Sequence, residues 1–149
     1  MKIIVSACLL GKNCKYDGSN NKDERLIELL KKDEVFPVCP EVMGGLPTPR
    51  ACAEIVQNRV MNKEGKDVSN EYQSGAELCL ALAKRENIDC AILQVRSPSC
   101  GKGLIYDGTF SGNKVKGNGI FAQLLLNNDF YVYCSDEYLN DAKNENIKD

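Results

Sequence analysis

The chain has 149 residues with eight cysteines, no histidine and a formal net charge of −2, which suits a single domain that needs no disulfide bonds. The absence of histidine excludes Ser-His-Asp and Cys-His catalysis and HExxH metalloproteases, so acid–base chemistry must use Asp, Glu, Lys, Tyr or a thiol. The weak charge balance argues against binding a nucleic-acid polymer, and no run approaches the ~20 apolar residues of a membrane span.

Short apolar runs alternate with loops in the first half of the chain. The run Ile3-Ile4-Val5 is typical of a strand buried on both faces, and two glycines and two prolines shape the loop at 41–50. The predicted elements are a strand at 2–7, a loop at 8–22, a helix capped by Asp23, a strand at 35–38, a loop at 41–50 and an edge strand at 55–61.

The second half contains the longest helical pattern. Apolar residues recur at helical spacing over 69–86, and Asp-Gly and Ser-Gly-Asn turn signals interrupt the stretch at 105–116. The predicted elements are a helix at 69–86, a strand at 90–95, a hairpin-like excursion at 105–116, a helix at 119–127, a strand at 130–134 and a polar, frayed tail at 136–149.

This alternation of strands and helices predicts an α/β fold. Strands separated by helices form a mostly parallel sheet with helices on its faces. We therefore expect one domain over residues 1–149, with three layers and a mostly parallel four-stranded sheet of the Rossmann-like or flavodoxin-like kind.

Three cysteines follow predicted parallel strands. Cys8 comes after the first strand, Cys39 after the second and Cys100 a few residues beyond the third. Ligands of open α/β sheets bind at the carboxyl ends of the strands, so we expect these residues to converge on one crevice. Three thiolates without histidine favour an iron–sulfur cluster, or zinc with a fourth ligand. No CxxC pair is present, which disfavours zinc ribbons and thioredoxin-type redox chemistry.

The remaining five cysteines divide into groups. The amino-terminal residues show no signal-peptide pattern, so we expect a cytoplasmic protein, in which clustered cysteines indicate metal binding or catalysis before disulfides. Cys79 and Cys90 fall on apolar faces and are predicted in the core, and we interpret Cys134 and Cys52 as structural. Cys14, six residues after Cys8, is either a further residue of the site or part of the loop.

Two charged residues are candidates for chemistry near these thiols. Glu41 stands two residues after Cys39, and a carboxylate beside a metal in a crevice is a candidate proton donor or acceptor. Arg50 could hold an anionic or planar polar ligand, or form a salt bridge with the protein.

Hydroxyl groups and a repeated turn supply further candidates. Ser97 and Ser99 precede Cys100 in a loop with exposed backbone amides. Asp17 belongs to a Tyr-Asp-Gly turn that recurs at residues 106–108. Both Tyr-Asp-Gly segments are predicted as tight turns.

Four ordered motifs resemble those of the thiouracil desulfurase-like family of small bacterial proteins. The motifs are SACLLGxxCxYDG at 6–18, PVCPEVMGGLPTPR at 37–50, SPSCG at 97–101 and IYDGTFSG at 105–112. The resemblance implies an α/β fold with a [4Fe-4S] cluster, which can be absent from protein prepared in air. By motif, the cluster ligands would be Cys8, Cys39 and Cys100, and Glu41 and Ser97 would be catalytic.

The resemblance implies non-redox desulfuration of a small-molecule thiocarbonyl compound such as a thio-nucleobase. In this hypothesis Glu41 relays protons, Ser97 orients substrate or water, and Ser99, Arg50 and Asp17 bind substrate. Two alternatives stay open: a non-catalytic zinc-, cluster- or sulfur-binding module, and a metal-free thiol protein of redox or sulfur-transfer chemistry.

Overall fold

The computed structural model describes residues 1–143, which form eight strands, five α-helices and one short 3-10 helix at Ala7–Leu10. The strands are β1 (Lys2–Ser6), β2 (Glu34–Val38), β3 (Ala53–Val56), β4 (Arg59–Asn62), β5 (Cys90–Leu93), β6 (Leu104–Tyr106), β7 (Lys114–Lys116) and β8 (Tyr131–Cys134). The helices are α1 (Glu24–Leu29), α2 (Pro40–Met43), α3 (Ser69–Arg85), α4 (Ile120–Asn127) and α5 (Ser135–Lys143).

Four strands form a parallel sheet in the order β2-β1-β5-β8. Ile3, Ile4 and Val5 of β1 are fully buried between its two neighbours, as their unbroken apolar run predicts. The chain leaves β1 for β2 on one side and later crosses to β5 on the other. The sheet therefore has a topological switch point between β1 and β5, where doubly wound folds open a ligand crevice at the carboxyl ends of the strands.

Helices cover both faces of this sheet. Residues of β1 alternate between the faces: Ile4 packs with α3 and α4, whereas Ile3 and Val5 pack with α1 and α5. Phe121 of α4 and Leu26 of α1 are fully buried in the two resulting cores. Burying a side chain of this size contributes about 1.5–3 kcal/mol, so the two cores hold the layers together. The predicted three-layer α/β fold is confirmed.

Helix signals in the sequence correspond to observed helices. The Asp23 side chain accepts hydrogen bonds from the backbone N–H groups of Arg25 and Leu26, which caps α1 as predicted. Helix α3 buries Tyr72, Ala76, Cys79 and Ala83 along one face. None of the helices within residues 1–143 is both long and apolar enough to span a membrane.

The prediction of one edge strand at 55–61 is wrong. This stretch contributes to an antiparallel hairpin in which β3 pairs with β4. Gln57 and Asn58, both with positive φ (49° and 67°), make the two-residue turn. Two-residue hairpin turns usually contain Asn-Gly or Asp-Gly in the sequence. The Gln57-Asn58 pair contains no glycine, so the sequence did not indicate a turn here. The excursion at 105–116 is an antiparallel hairpin of β6 and β7, as predicted.

The prediction of a frayed tail from residue 136 is also wrong as far as the structure extends. Residues Ser135–Lys143 form α5, and Tyr138 and Ala142 bury their side chains. The helix is amphipathic, and its few apolar residues pack on the sheet face that α1 also covers. Residues 144–149 of the predicted tail lie outside the described part of the chain.

Candidate active site

A cavity of about 480 Å³ opens beyond the carboxyl ends of β1, β2 and β5. Cys8, Cys39 and Cys100 all line it, so the convergence predicted from their positions after three strands is observed. Cys14 and Cys52 line the same cavity, which places five of the eight cysteines around one space.

The other three cysteines lie elsewhere. Cys79 and Cys90 are buried in the core, as predicted. Cys134, at the end of β8, is half-buried and is absent from the lining of the cavity. The sequence did not decide whether Cys14 is a residue of the site, and the structure places it in the cavity wall. Cys52, which we interpreted as structural, also lines the cavity.

The thiols of Cys8 and Cys100 each have a polar neighbour close in space. Cys8 lies in the 3-10 helix Ala7–Leu10 directly after β1, and its Sγ accepts a hydrogen bond from Asn21 Nδ2 at 3.4 Å. Cys100 is 4% exposed, and its Sγ lies 3.5 Å from Ser99 Oγ. Burial raises the pKa of both thiols. A nearby cationic centre would offset this effect, since metal ligation requires thiolates.

Cys39 is the most acidic thiol of the three. It is the residue before α2, and Pro40 at the first helical position fixes the backbone that follows. A hydrogen bond with the Cys14 thiol lowers the pKa of Cys39, and the Arg50 guanidinium adds to this effect. The same hydrogen bond and burial raise the pKa of Cys14. Cys14 therefore lies against Cys39, whose Sγ also contacts the Cys14 carbonyl oxygen at 3.7 Å.

Close backbone packing fixes the segment that carries Cys39 and Glu41. Helix α2 rests on α3 at Gly75, where a Cβ atom would lie only 1.8 Å from the Pro40 carbonyl oxygen. Only glycine allows this approach. The contact sets α2 at the mouth of the cavity, beside Tyr72 of α3, which is another lining residue.

Glu41 lines the cavity, and its two carboxylate oxygens have different partners. Its side chain is 13% exposed. Oε1 accepts a hydrogen bond from Ser99 Oγ at 2.7 Å, while Oε2 lies 3.9 Å from Arg50 Nη2. The carboxylate is thus oriented by a short hydrogen bond on one oxygen and by a longer ion pair on the other.

The two serines before Cys100 form a hydroxyl chain that ends at Glu41. Ser97 Oγ accepts hydrogen bonds from the backbone N–H groups of Ser99 at 3.1 Å and Cys100 at 3.0 Å. Both of its lone pairs are then used, so its own proton points to Ser99 Oγ at 3.0 Å. Ser99 in turn donates to Glu41. Ser97 lines the cavity, whereas the fully buried Ser99 lies behind the lining.

Arg50 lines the cavity but directs its hydrogen bonds to the protein. Its side chain is 8% exposed. Nη2 donates to the Cys14 carbonyl oxygen at 2.8 Å, and Nη1 donates to the Pro47 carbonyl oxygen and to Thr48 Oγ1. The sequence allowed Arg50 either to hold a ligand or to form contacts within the protein. These hydrogen bonds favour the second interpretation, in which Arg50 organises the wall of the cavity.

Asp17 is not brought into the site. Its carboxylate is exposed and accepts hydrogen bonds from the backbone N–H and the hydroxyl of Ser19. These bonds lower the pKa of Asp17 and stabilise a local turn. Asp17 is absent from the lining of the cavity, so the structure gives no support to substrate binding by this residue.

Residues of the two hairpins complete the cavity, and the sequence did not reveal them. They are Ala53 and Glu54 of β3, Tyr106 of β6, and Phe110 and Gly112 of the loop between β6 and β7. The repeated Tyr-Asp-Gly motif at residues 106–108 was the one feature of the sequence that pointed to this region. The motif does not show where the hairpins lie, because their position depends on tertiary packing.

The donor set is chemically suited to an iron–sulfur cluster. Five thiols, among them those of Cys8, Cys39 and Cys100, and no histidine line the cavity, and thiolates are the usual ligands of such clusters. An iron–sulfur cluster takes its thiolates on separate irons, so thiols distributed around a cavity fit it.

Comparisons with known proteins identify the family of this chain. The family model for 2-thiouracil desulfurase matches residues 3–137. YbbK of Bacillus subtilis (strain 168), an uncharacterized protein, is 40% identical over 149 residues, which cover 93% of this chain and 98% of YbbK. The solved structure of TudS, a [4Fe-4S]-dependent thiouracil desulfidase, is 41% identical, with a TM-score of 0.88 over 97% of this chain and 98% of TudS. The resemblance of the four motifs is thereby confirmed, and the chain belongs to the 2-thiouracil desulfurase family.

Proposed function

We propose that this protein is an enzyme that removes sulfur from a thiocarbonyl compound such as a thio-nucleobase, using a [4Fe-4S] cluster held by Cys8, Cys39 and Cys100. The observation that carries the proposal is that these three thiols line one cavity together with Glu41. Family membership and the [4Fe-4S]-dependent relative support it.

The three cysteines account for three of the four irons in such a cluster. When bound, the cluster supplies an iron without a protein ligand, which is a Lewis acid with affinity for sulfur. Cys8 and Cys39 closely follow β1 and β2, and Cys100 lies in the loop after β5, so the three thiols come from three separate segments at the carboxyl edge of the sheet.

The reaction needs proton transfer but no electrons. A thiocarbonyl and water give a carbonyl and hydrogen sulfide, so atoms and charge balance without an oxidant or reductant. One carboxylate can serve both halves of this exchange, since the two protons lost by the attacking water are the two that the departing hydrogen sulfide gains.

Glu41 is the group that we assign to this exchange. Ser99 occupies Oε1, so Oε2 is the oxygen left to take a proton from water in the cavity. Ser97, which also lines the cavity, orients water or substrate, and its link through Ser99 couples its position to that of Glu41. Cys39 and Glu41 share one rigid segment, so the proton-transfer group is fixed relative to a cluster ligand.

Sulfide release by protein purified without oxygen tests the proposal. Wild-type protein loaded with iron and sulfide is expected to convert a thiouracil to uracil with equimolar sulfide. Glu41→Gln should retain its iron but lose about 10²–10⁴-fold in kcat, the usual contribution of a general acid–base group. Full activity in iron-free protein would instead support metal-free thiol chemistry. A full rate in Glu41→Gln would remove the assigned role of Glu41.

A further inference from the structure

A second carboxylate faces the cavity and has no part in the proposed proton transfer. Glu54 lies on β3, is 9% exposed and lines the cavity. Buried carboxylates are uncommon unless they are hydrogen-bonded or paired with a cation. Within residues 1–143, Glu54 forms no ion pair, although Lys63 and Arg50 line the same cavity.

One oxygen of Glu54 is fixed by the loop between β6 and β7. Oε1 accepts hydrogen bonds from the backbone N–H groups of Gly108 at 2.9 Å and Phe110 at 3.1 Å. Gly108 has φ 93°, and a Cβ atom there would lie 2.7 Å from the Ile55 carbonyl oxygen. Phe110 also has a positive φ of 56°. The loop is therefore shaped to bring two N–H groups to this carboxylate, which orients it firmly.

The other oxygen of Glu54 has no hydrogen-bond partner among the described residues. It is not sealed in the interior, because residues 1–143 contain no buried side-chain oxygen that lacks a partner. Glu54 lines the cavity, and from this we infer that its second oxygen, Oε2, is the hydrogen-bond acceptor that it offers to a molecule in the cavity. The two N–H groups of the loop need only one acceptor oxygen, which the side chain of a glutamine could also supply. The loop therefore does not explain why a carboxylate is present at position 54.

We propose that Glu54 Oε2 accepts a hydrogen bond from a ring N–H of the substrate and thereby selects cyclic thioamides that carry an N–H next to the thiocarbonyl carbon. This inference rests on the proposed function. A carboxylate cannot donate to a ring nitrogen that lacks a proton, so N-alkylated substrates leave a buried acceptor unpaired. Sites built around such a hydrogen bond discriminate strongly against analogues without the donor.

Equilibrium binding of two related compounds to cluster-loaded protein tests the inference. The probes are 4-thiouracil, which has N3–H beside its thiocarbonyl, and its N3-methyl derivative. Wild-type protein should bind 4-thiouracil roughly tenfold to a hundredfold more tightly, as expected for a hydrogen bond to a charged group. Equal binding of both compounds by the wild type would overturn the inference without any variant.

The variant Glu54→Gln tests the role of Oε2 while preserving the hydrogen bonds that Oε1 accepts from the loop. The glutamine carbonyl can still accept from Gly108 and Phe110, while its NH2 group now faces the cavity as a donor. The preference for 4-thiouracil should fall to about one, and the unfolding temperature should stay close to that of the wild type. Glu64→Gln, the same change at an exposed position outside the cavity, should leave the preference unchanged.

An unchanged preference in Glu54→Gln would overturn the inference while leaving the proposed function intact. Sulfide release by the same wild-type sample reports on the proposed function separately. Binding selectivity and desulfuration can therefore fail independently of each other.

Discussion

The Ser99 hydroxyl donates a 2.7 Å hydrogen bond to Glu41 Oε1, although the two residues are 58 positions apart in the chain. This bond joins the loop after β5 to the helix after β2, across the carboxyl end of β1. Because Ser99 is fully buried and absent from the cavity lining, it acts on chemistry through the two side chains that it contacts, Glu41 and Ser97.

Replacing Ser99 by alanine removes the donor to Glu41 and the acceptor for Ser97. We expect kcat to fall by about tenfold to a hundredfold, since a misplaced acid–base group loses rate steeply. KM should change little, because Ser99 does not line the cavity. Steady-state kinetics that separate kcat from KM provide the measurement. Ser74→Ala, an exposed serine on α3, is the matched control, and a Ser99→Ala kcat equal to that of this control would contradict the account.

Arg50→Lys distinguishes the two interpretations of the arginine. A lysine cannot replace the planar fork that donates to Cys14, Pro47 and Thr48, so we expect the free energy of unfolding to fall by about 1–3 kcal/mol. Denaturant unfolding measures this change, with Arg85→Lys as an exposed control. A raised KM with unchanged stability would mean that Arg50 contacts substrate rather than the cavity wall.

The sequence predicted the parallel sheet and the convergence of the thiols for one physical reason. Continuous apolar runs identify buried parallel strands, and the carboxyl ends of such strands meet at one edge. Cys8, Cys39 and Cys100 could therefore be placed together without knowledge of any contact. Glu41 was a candidate from its position beside Cys39, and the family resemblance implied that both Glu41 and Ser97 are catalytic. Their link through Ser99 became visible only in the structure.

The hairpin residues of the cavity could not be predicted in the same way. In the sequence, Glu54 is indistinguishable from an ordinary glutamate on a strand. The orientation of its carboxylate depends on a loop more than fifty residues later in the chain. Cys52 and Cys14 lie in irregular segments whose paths are set by contacts such as that of Arg50 with the Cys14 carbonyl. Local periodicity carries no information on such long-range contacts.

Asp67 makes the β3–β4 hairpin and α3 sensitive to acid. Hydrogen bonds from Ser69 and the ion pair with Arg59 lower the pKa of Asp67 to about 2, below the ordinary aspartate value of about 3.9. A depressed pKa contributes stability above the unfolded-state value, which is lost as pH falls from about 4 to about 2. Asp67→Asn should lower the urea midpoint at neutral pH, and this difference should become small near pH 2, where Asp67 is largely neutralised. A difference that persists undiminished near pH 2 would rule out this charge effect.

The most direct test of the central claim is the iron and acid-labile sulfide content of single cysteine variants purified without oxygen. Wild-type protein should contain about four of each per chain, the composition of a [4Fe-4S] cluster. Cys8→Ala, Cys39→Ala and Cys100→Ala should each lose both, whereas Cys14→Ala and Cys52→Ala, which alter the same cavity, should retain them. Stoichiometric zinc in the wild type, or complete cluster loss in Cys14→Ala with retention in Cys100→Ala, would contradict a cluster held by these three thiols.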